Sequence, residues 1–87
     1  MDGIITSIYE PTREQLGNVY RYIKAQIQKS QYKKDALITL NRFSEDLQET
    51  KDQIQYNILK LIAMGVLERK LIRTKDNKSM YLYRLLK

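Results

Sequence analysis

Apolar residues recur every three to four positions through two stretches of this chain and every second position near its end. That change of period divides it into elements. Leu16, Val19, Tyr20, Ile23 and Ile27 share one helical face, with Arg13, Arg21, Lys24 and Gln28 opposite. Pro11 and Thr12 open this first helix, and Thr12 with Gln15 has the spacing of a capping box. The helix is expected to fray near Lys29–Gln31, and Tyr32–Asp35 is a polar connection. Ala36–Leu40 is short and partly β-branched; it fits a brief strand or a helix start, and the strand is preferred. Asn41 is the expected N-cap of a helix of about two turns, with Phe43 and Leu47 as its buried pair. Gln48 and Glu49 form the following turn, without the glycine often found there.

Thr50 caps the next helix, spanning 50–64. Asp52 and Gln53 fall in its first turn, where a negative charge suits the positive end of the helix dipole. Ile54, Ile58, Leu61 and Ile62 form its expected buried stripe, and Gly65 stops it as a left-handed residue just past the C-cap. Val66 and Leu67 continue inward. Leu67, Arg69, Leu71 and Arg73 then alternate with Glu68, Lys70 and Ile72. Thr74–Ser79 is a polar turn containing Asp76 and Asn77, and Met80, Leu82 and Arg84 alternate with Tyr81, Tyr83 and Leu85. Two such runs about a polar turn are a β-hairpin, placed at 68–85. The expected fold is mostly α with a small β-hairpin (α+β), in the order α-β-α-α-β-β: one domain over 11–87, preceded by a lead over 1–10. The lead carries Ile4, Ile5, Ile8 and Tyr9 and reads equally as a strand, a helical turn or a dimer arm.

Composition narrows the chemistry. The chain has 87 residues, 43% hydrophobic and 30% charged, which suits one small globular domain and not a disordered chain. Cysteine and histidine are both absent. That removes disulfides, zinc–thiolate sites and the commonest nucleophile–base pairs. The expectation is a non-enzyme with no catalytic residues, no metal site and no cofactor, and no small-molecule ligand is inferred. No apolar run approaches the roughly 20 residues that span a bilayer. MDGIITSIYE lacks the basic start of a signal peptide. The expected location is the cytoplasm of a prokaryotic cell, or of one harbouring a virus or plasmid that encodes the chain, with no membrane partner.

Charge changes the picture more. The net charge is +6 and the pI about 9.6. Residues 1–10 carry −2, 11–34 carry +5, 35–50 carry −3 and 51–87 carry +6. A basic side separated from an acidic insert suggests a polyanionic partner, most often nucleic acid.

In element order and in the spacing of Phe43, Leu47, Thr50, Ile54, Ile58, Leu61 and Gly65, followed by Val66, Leu67 and a basic hairpin, the chain resembles the winged helix-turn-helix family. The resemblance covers about residues 12–86. It implies that the apolar pair on the second helix packs against the third, and that the glycine releases the chain into the wing. It implies a third helix in the major groove of a duplex, with the hairpin tip on backbone or minor groove.

The third helix turns Asp52, Gln53, Tyr56 and Lys60 outward, with Thr50, Lys51 and Gln55 at its start or flanks. Gln53, Gln55 and Tyr56 are candidates for base edges, Thr50 and Lys51 for phosphate at the helix N-terminus. Asp52 would repel phosphate. At the hairpin, Arg73, Lys75, Asn77 and Lys78 are candidate backbone contacts. For both groups the plainer reading is a solvated face. For Arg13, Arg21, Lys24 and Lys29, with Lys33 and Lys34 beyond, it is preferred. So it is for Asp35, Glu45, Asp46 and Glu49. Tyr81 and Tyr83 read as sheet packing before a stacking platform for single strands. Leu59 and Tyr22 lie off their helices' apolar stripes and suit contacts with the lead or with a dimer partner.

The function expected is that of a small DNA-binding transcriptional regulator, a homodimer on duplex DNA. One alternative is a plasmid- or phage-type replication or maintenance accessory that binds single or double strands with little sequence preference. A second is a protein-interaction winged helix.

Overall fold

A computed structural model describes residues 11–31, 33–76 and 79–86, with Ser79 by its backbone alone. The lead, Tyr32, Asn77, Lys78 and Lys87 lie outside the described residues. The elements follow in the order α1 (Arg13–Lys29), β1 (Ala36–Ile38), α2 (Leu40–Leu47), α3 (Lys51–Ala63), β2 (Leu67–Arg73) and β3 (Ser79–Leu85). Among the described residues, three helices and a three-stranded antiparallel sheet make an α+β fold.

Capping sets the helix starts. Gln15 N–H donates to Thr12 Oγ1 (3.1 Å) and Thr12 N–H to Gln15 Oε1 (2.8 Å), so the reciprocal box at α1 forms as its spacing predicts. Lys29 closes α1, and the Ser30 hydroxyl returns to the Ile27 carbonyl. The N-cap of α2 is Thr39, not Asn41. Thr39 is extended and its Oγ1 accepts from Arg42 N–H (3.1 Å). The strand therefore ends at Ile38 and feeds the helix through a single hinge residue. Asn41 falls inside the first turn, where its side chain has no capping geometry to adopt.

The sheet order is β1-β3-β2. Ala36 pairs with Tyr83 and Ile38 with Tyr81; across the hairpin Leu67 pairs with Leu85, Arg69 with Tyr83 and Leu71 with Tyr81. Paired residues share a face, so all of these point to the helical layer. The opposite face is wet: Arg84 stands 3.6 Å from Glu68 and 3.9 Å from Asp35, both pairs substantially exposed. Such pairs contribute little.

The core lies between this sheet face and the helices. Val19, Ile23 and Ile27 of α1, Phe43 of α2, Ile54, Ile58 and Leu61 of α3, and Ala36, Ile38, Leu67 and Tyr83 of the sheet are all buried. Burying each of the larger side chains contributes about 1.5–3 kcal/mol. The Phe43 ring meets Tyr83 edge-on at 5.3 Å and Tyr22 at 5.2 Å. Tyr22 thus belongs to the α1–α2 contact, and its hydroxyl donates to Asp46 Oδ2 (2.5 Å).

The buried stripe of α3 departs from expectation at two places. Ile62 is only half-buried, and Asn57 is fully buried. Asn57 sits three residues past Ile54 and four before Leu61, on the side that faces α2, and its Nδ2 donates to Glu49 Oε1 (3.4 Å).

Candidate nucleic-acid interface

Two turns position α3. Before it, Gln48 adopts the left-handed conformation (φ 54°, ψ 44°) that a glycine would take without strain. Three contacts hold this turn. The Ser44 hydroxyl donates to the Glu49 carbonyl (2.6 Å), Asn57 binds the Glu49 carboxylate, and Thr50 caps α3. After it, Gly65 is left-handed (φ 77°) as expected. Gly65 N–H donates to the Ile62 carbonyl and Val66 N–H to the Leu61 carbonyl, a Schellman closure. Three residues, Met64, Gly65 and Val66, carry the chain from α3 into β2 beside it.

At the N-terminus of α3, Thr50, Lys51 and Asp52 are exposed. Thr50 Oγ1 accepts from Gln53 N–H (3.1 Å), and Gln53 Oε1 accepts from Thr50 N–H (3.3 Å). The Gln53 side-chain oxygen is therefore engaged in the helix cap and the residue is half-buried, so it pairs with adenine through both amide atoms only by giving up that bond. Gln55 is also half-buried, and its Oε1 accepts from Arg69 Nη1 (3.1 Å). Tyr56 and Lys60 remain exposed. The outward arc is less polar than the sequence pattern implies: Leu59 is 49% exposed and forms a shallow hollow with Tyr56, Lys60 and Ala63.

The inner face of the hairpin runs from core to solvent. Leu67 is buried, Arg69 half-buried, Leu71 51% exposed and Arg73 exposed. The hairpin thus overhangs the helical layer, and Arg73 and Lys75 lie on the overhang. Arg69 occupies the transition. Its guanidinium sits 4.1 Å from the Tyr81 ring centroid while it bonds Gln55. It also lies near the Tyr83 phenol. Burial pushes that phenol above its ordinary pKa, with Arg69 opposing. The Tyr83 hydroxyl is buried without a hydrogen-bond partner among the described residues, so Tyr83 offers no surface for a stacked base. Tyr81 is half-buried beneath Arg69.

Among the candidate residues, the fold joins Thr50 to Gln53 at the α3 cap and brings Gln55 against the hairpin. Thr50, Lys51, Tyr56, Lys60, Arg73 and Lys75 are left on the surface with their side chains exposed. Asn77 and Lys78 lie outside the described residues. Arg69 is the residue that sequence reasoning missed. Its place in an alternating strand on the buried-face phase, as an arginine among leucines, was the available signal. The acidic residues do not converge: Asp46 serves Tyr22 and Arg42, Glu49 serves Asn57, and Asp35 faces Arg84. Arg13, Arg21 and Lys24 are exposed on α1, and Arg21 donates to Asn18 Oδ1 (2.7 Å). No helix among the described residues is long and apolar enough to cross a membrane. Compared with known proteins, the chain matches no family model, no curated protein and no solved structure.

Proposed function

We propose that this chain is a winged helix that binds duplex DNA, a small homodimeric transcriptional regulator with α3 in the major groove and the β2–β3 hairpin as its wing. The observation that carries the reading is the Arg69–Gln55 bond, which seats the hairpin against the flank of α3 next to its exposed arc. Lys51 at the helix start and Arg73 and Lys75 on the overhang supply positive charge at both ends of that surface. Such charge replaces condensed counterions on a phosphate backbone. Tyr56 is the exposed side chain placed to reach a base edge or phosphate, and Gln53 pairs with adenine on leaving its cap.

Selection from random duplexes at two salt concentrations tests this. Enrichment of a palindrome, with affinity falling steeply as salt rises, is the expected result. Equal affinity for random duplex and single strands would favour the replication or maintenance accessory.

A specific feature favours a second reading. Tyr56, Leu59 and Ala63 form an apolar strip along the exposed side of α3, which suits a protein partner as well as base edges. Absence of any duplex binding at low salt would select that reading.

A further inference from the structure

The side-chain oxygens of Gln53 and Gln55 are both taken up inside the fold. Gln55 Oε1 accepts from Arg69 Nη1 (3.1 Å), and Gln53 Oε1 accepts from Thr50 N–H (3.3 Å). A guanidinium and a backbone N–H can only donate, so each amide must turn its oxygen to that donor and its Nε2 away. Neither Nε2 has a hydrogen-bond partner among the described residues. The buried side-chain polar atom without a partner, among those residues, is the Tyr83 hydroxyl, so both amino groups reach solvent. At Gln55 the anchor is itself fixed. Arg69 lies on β2, pairs with Tyr83 across the hairpin and packs its guanidinium 4.1 Å from the Tyr81 ring centroid.

We propose, on the reading of α3 as a duplex reader, that Gln55 selects guanine through its amino group alone and that Arg69 is its positioning residue. A glutamine with both amide atoms available pairs with adenine, accepting from N6 and donating to N7. Held by Arg69, Gln55 has its amino group to offer and not its oxygen. Guanine presents N7 and O6, two acceptors side by side, and complements that group. Thymine presents a single acceptor, O4, while adenine and cytosine set an amino group of their own against it. Gln55 stands one helical turn past Lys51, on the flank of α3 that meets the hairpin. The exposed Asp52, three residues earlier, supplies an acceptor, so the donor-only state belongs to Gln55 and not to the whole arc. Gln53 is held in the same way, but its anchor is a backbone N–H, whereas the anchor of Gln55 is a side chain that can be exchanged.

Selection from random duplexes, run in parallel on the parent chain and on Gln55→Glu, Arg69→Lys and Arg69→Leu, tests this. Circular dichroism confirms that each variant is folded at the temperature used. Glutamate keeps an oxygen on Arg69 and deletes the amino group; lysine keeps a donor on Gln55, and leucine removes it. The parent should favour guanine over adenine by about fivefold at one position of each half-site. That preference should vanish in Gln55→Glu, persist in Arg69→Lys and move to adenine in Arg69→Leu, with the other positions unchanged. If Arg69→Leu lowers affinity for all four bases alike and keeps guanine, Arg69 is structural and does not position Gln55. An unchanged base preference in Gln55→Glu would overturn the proposal and leave duplex reading by α3 standing. So would adenine in the parent at the position that Gln55→Glu alters. Equal loss at all four bases in Gln55→Glu would overturn it too, by giving the amino group to a phosphate. No enriched duplex with the parent chain would overturn both the proposal and the reading it rests on. Should Arg69→Leu not fold, Gln55→Glu and Arg69→Lys still decide.

Discussion

Arg69 ties the hairpin to α3 through Gln55. Its Nη1 donates to Gln55 Oε1 over 3.1 Å, and the same guanidinium packs on Tyr81 at 4.1 Å from the ring centroid. The two residues are 14 apart in sequence, on elements that follow one another through Gly65. A hydrogen bond from a charged donor contributes about 1.5–3 kcal/mol when buried and less when half-exposed; the cation–π contact adds about 0.5–1 kcal/mol. Arg69→Ala should therefore destabilise by about 2 kcal/mol and Gln55→Ala by about 1 kcal/mol. The double variant should fall short of additivity by about 1 kcal/mol. Urea unfolding with an unchanged m-value reads all three.

Gly65→Ala isolates the helix stop. Its φ of 77° is left-handed, and nothing lies within 4 Å of an added Cβ. The penalty is then conformational alone, about 1–2 kcal/mol. Gly65→Asn should recover part of it, because asparagine tolerates this region better. A steric origin would instead make asparagine worse than alanine. Thermal unfolding of the two variants decides between these outcomes.

These turns show how much of the molecule its sequence announces. Caps, periods and the Gly65 stop are local, so α1, α3 and the hairpin are legible from spacing alone. Thr39 was missed because it and Asn41 are both good caps, and only the end of β1 pairing decides between them. Asn57 and Arg69 were missed for a shared reason. Each is polar yet lies on or beside an apolar face, and each is satisfied by a residue brought near by tertiary folding: Glu49 for one, Gln55 for the other. Spacing turns Gln53 outward and puts Gln55 on the flank; both are half-buried, because the bonds that engage their side chains depend on a cap and on a neighbouring strand. Spacing thus assigns faces to these side chains, but which of them are engaged within the fold is set by tertiary neighbours.

The Tyr22–Asp46 bond gives a pH signature. Desolvation by burial and then the bond to Asp46 push the Tyr22 phenol up from 10.0 to about 12. A folded pKa above the unfolded value means that this contribution to stability is complete below pH 10 and is lost between about pH 10 and 12. Among the chain's seven tyrosines, a phenolate absorbance titration should resolve one near 12 that disappears in Tyr22→Phe. In that variant the melting temperature should also fall less steeply above pH 10.

On the proposed function, salt dependence tests whether helix and hairpin touch one duplex together. Each lysine that neutralises a phosphate contributes about 0.9 to the slope of log affinity against log salt. Lys51→Ala and Lys75→Ala should each lower the slope's magnitude by about 1 on a selected duplex. Lys24→Ala, on the outer face of α1, should leave it unchanged. If the hairpin's attitude depends on Arg69, the Lys75 effect should vanish in an Arg69→Ala background while the Lys51 effect persists, since Lys51 stands in the first turn of α3, whose start is fixed by the Thr50–Gln53 cap. Full additivity of Arg69→Ala and Lys75→Ala would mean that the hairpin tip finds the backbone without its anchor. The Arg69–Gln55 bond would then serve stability alone.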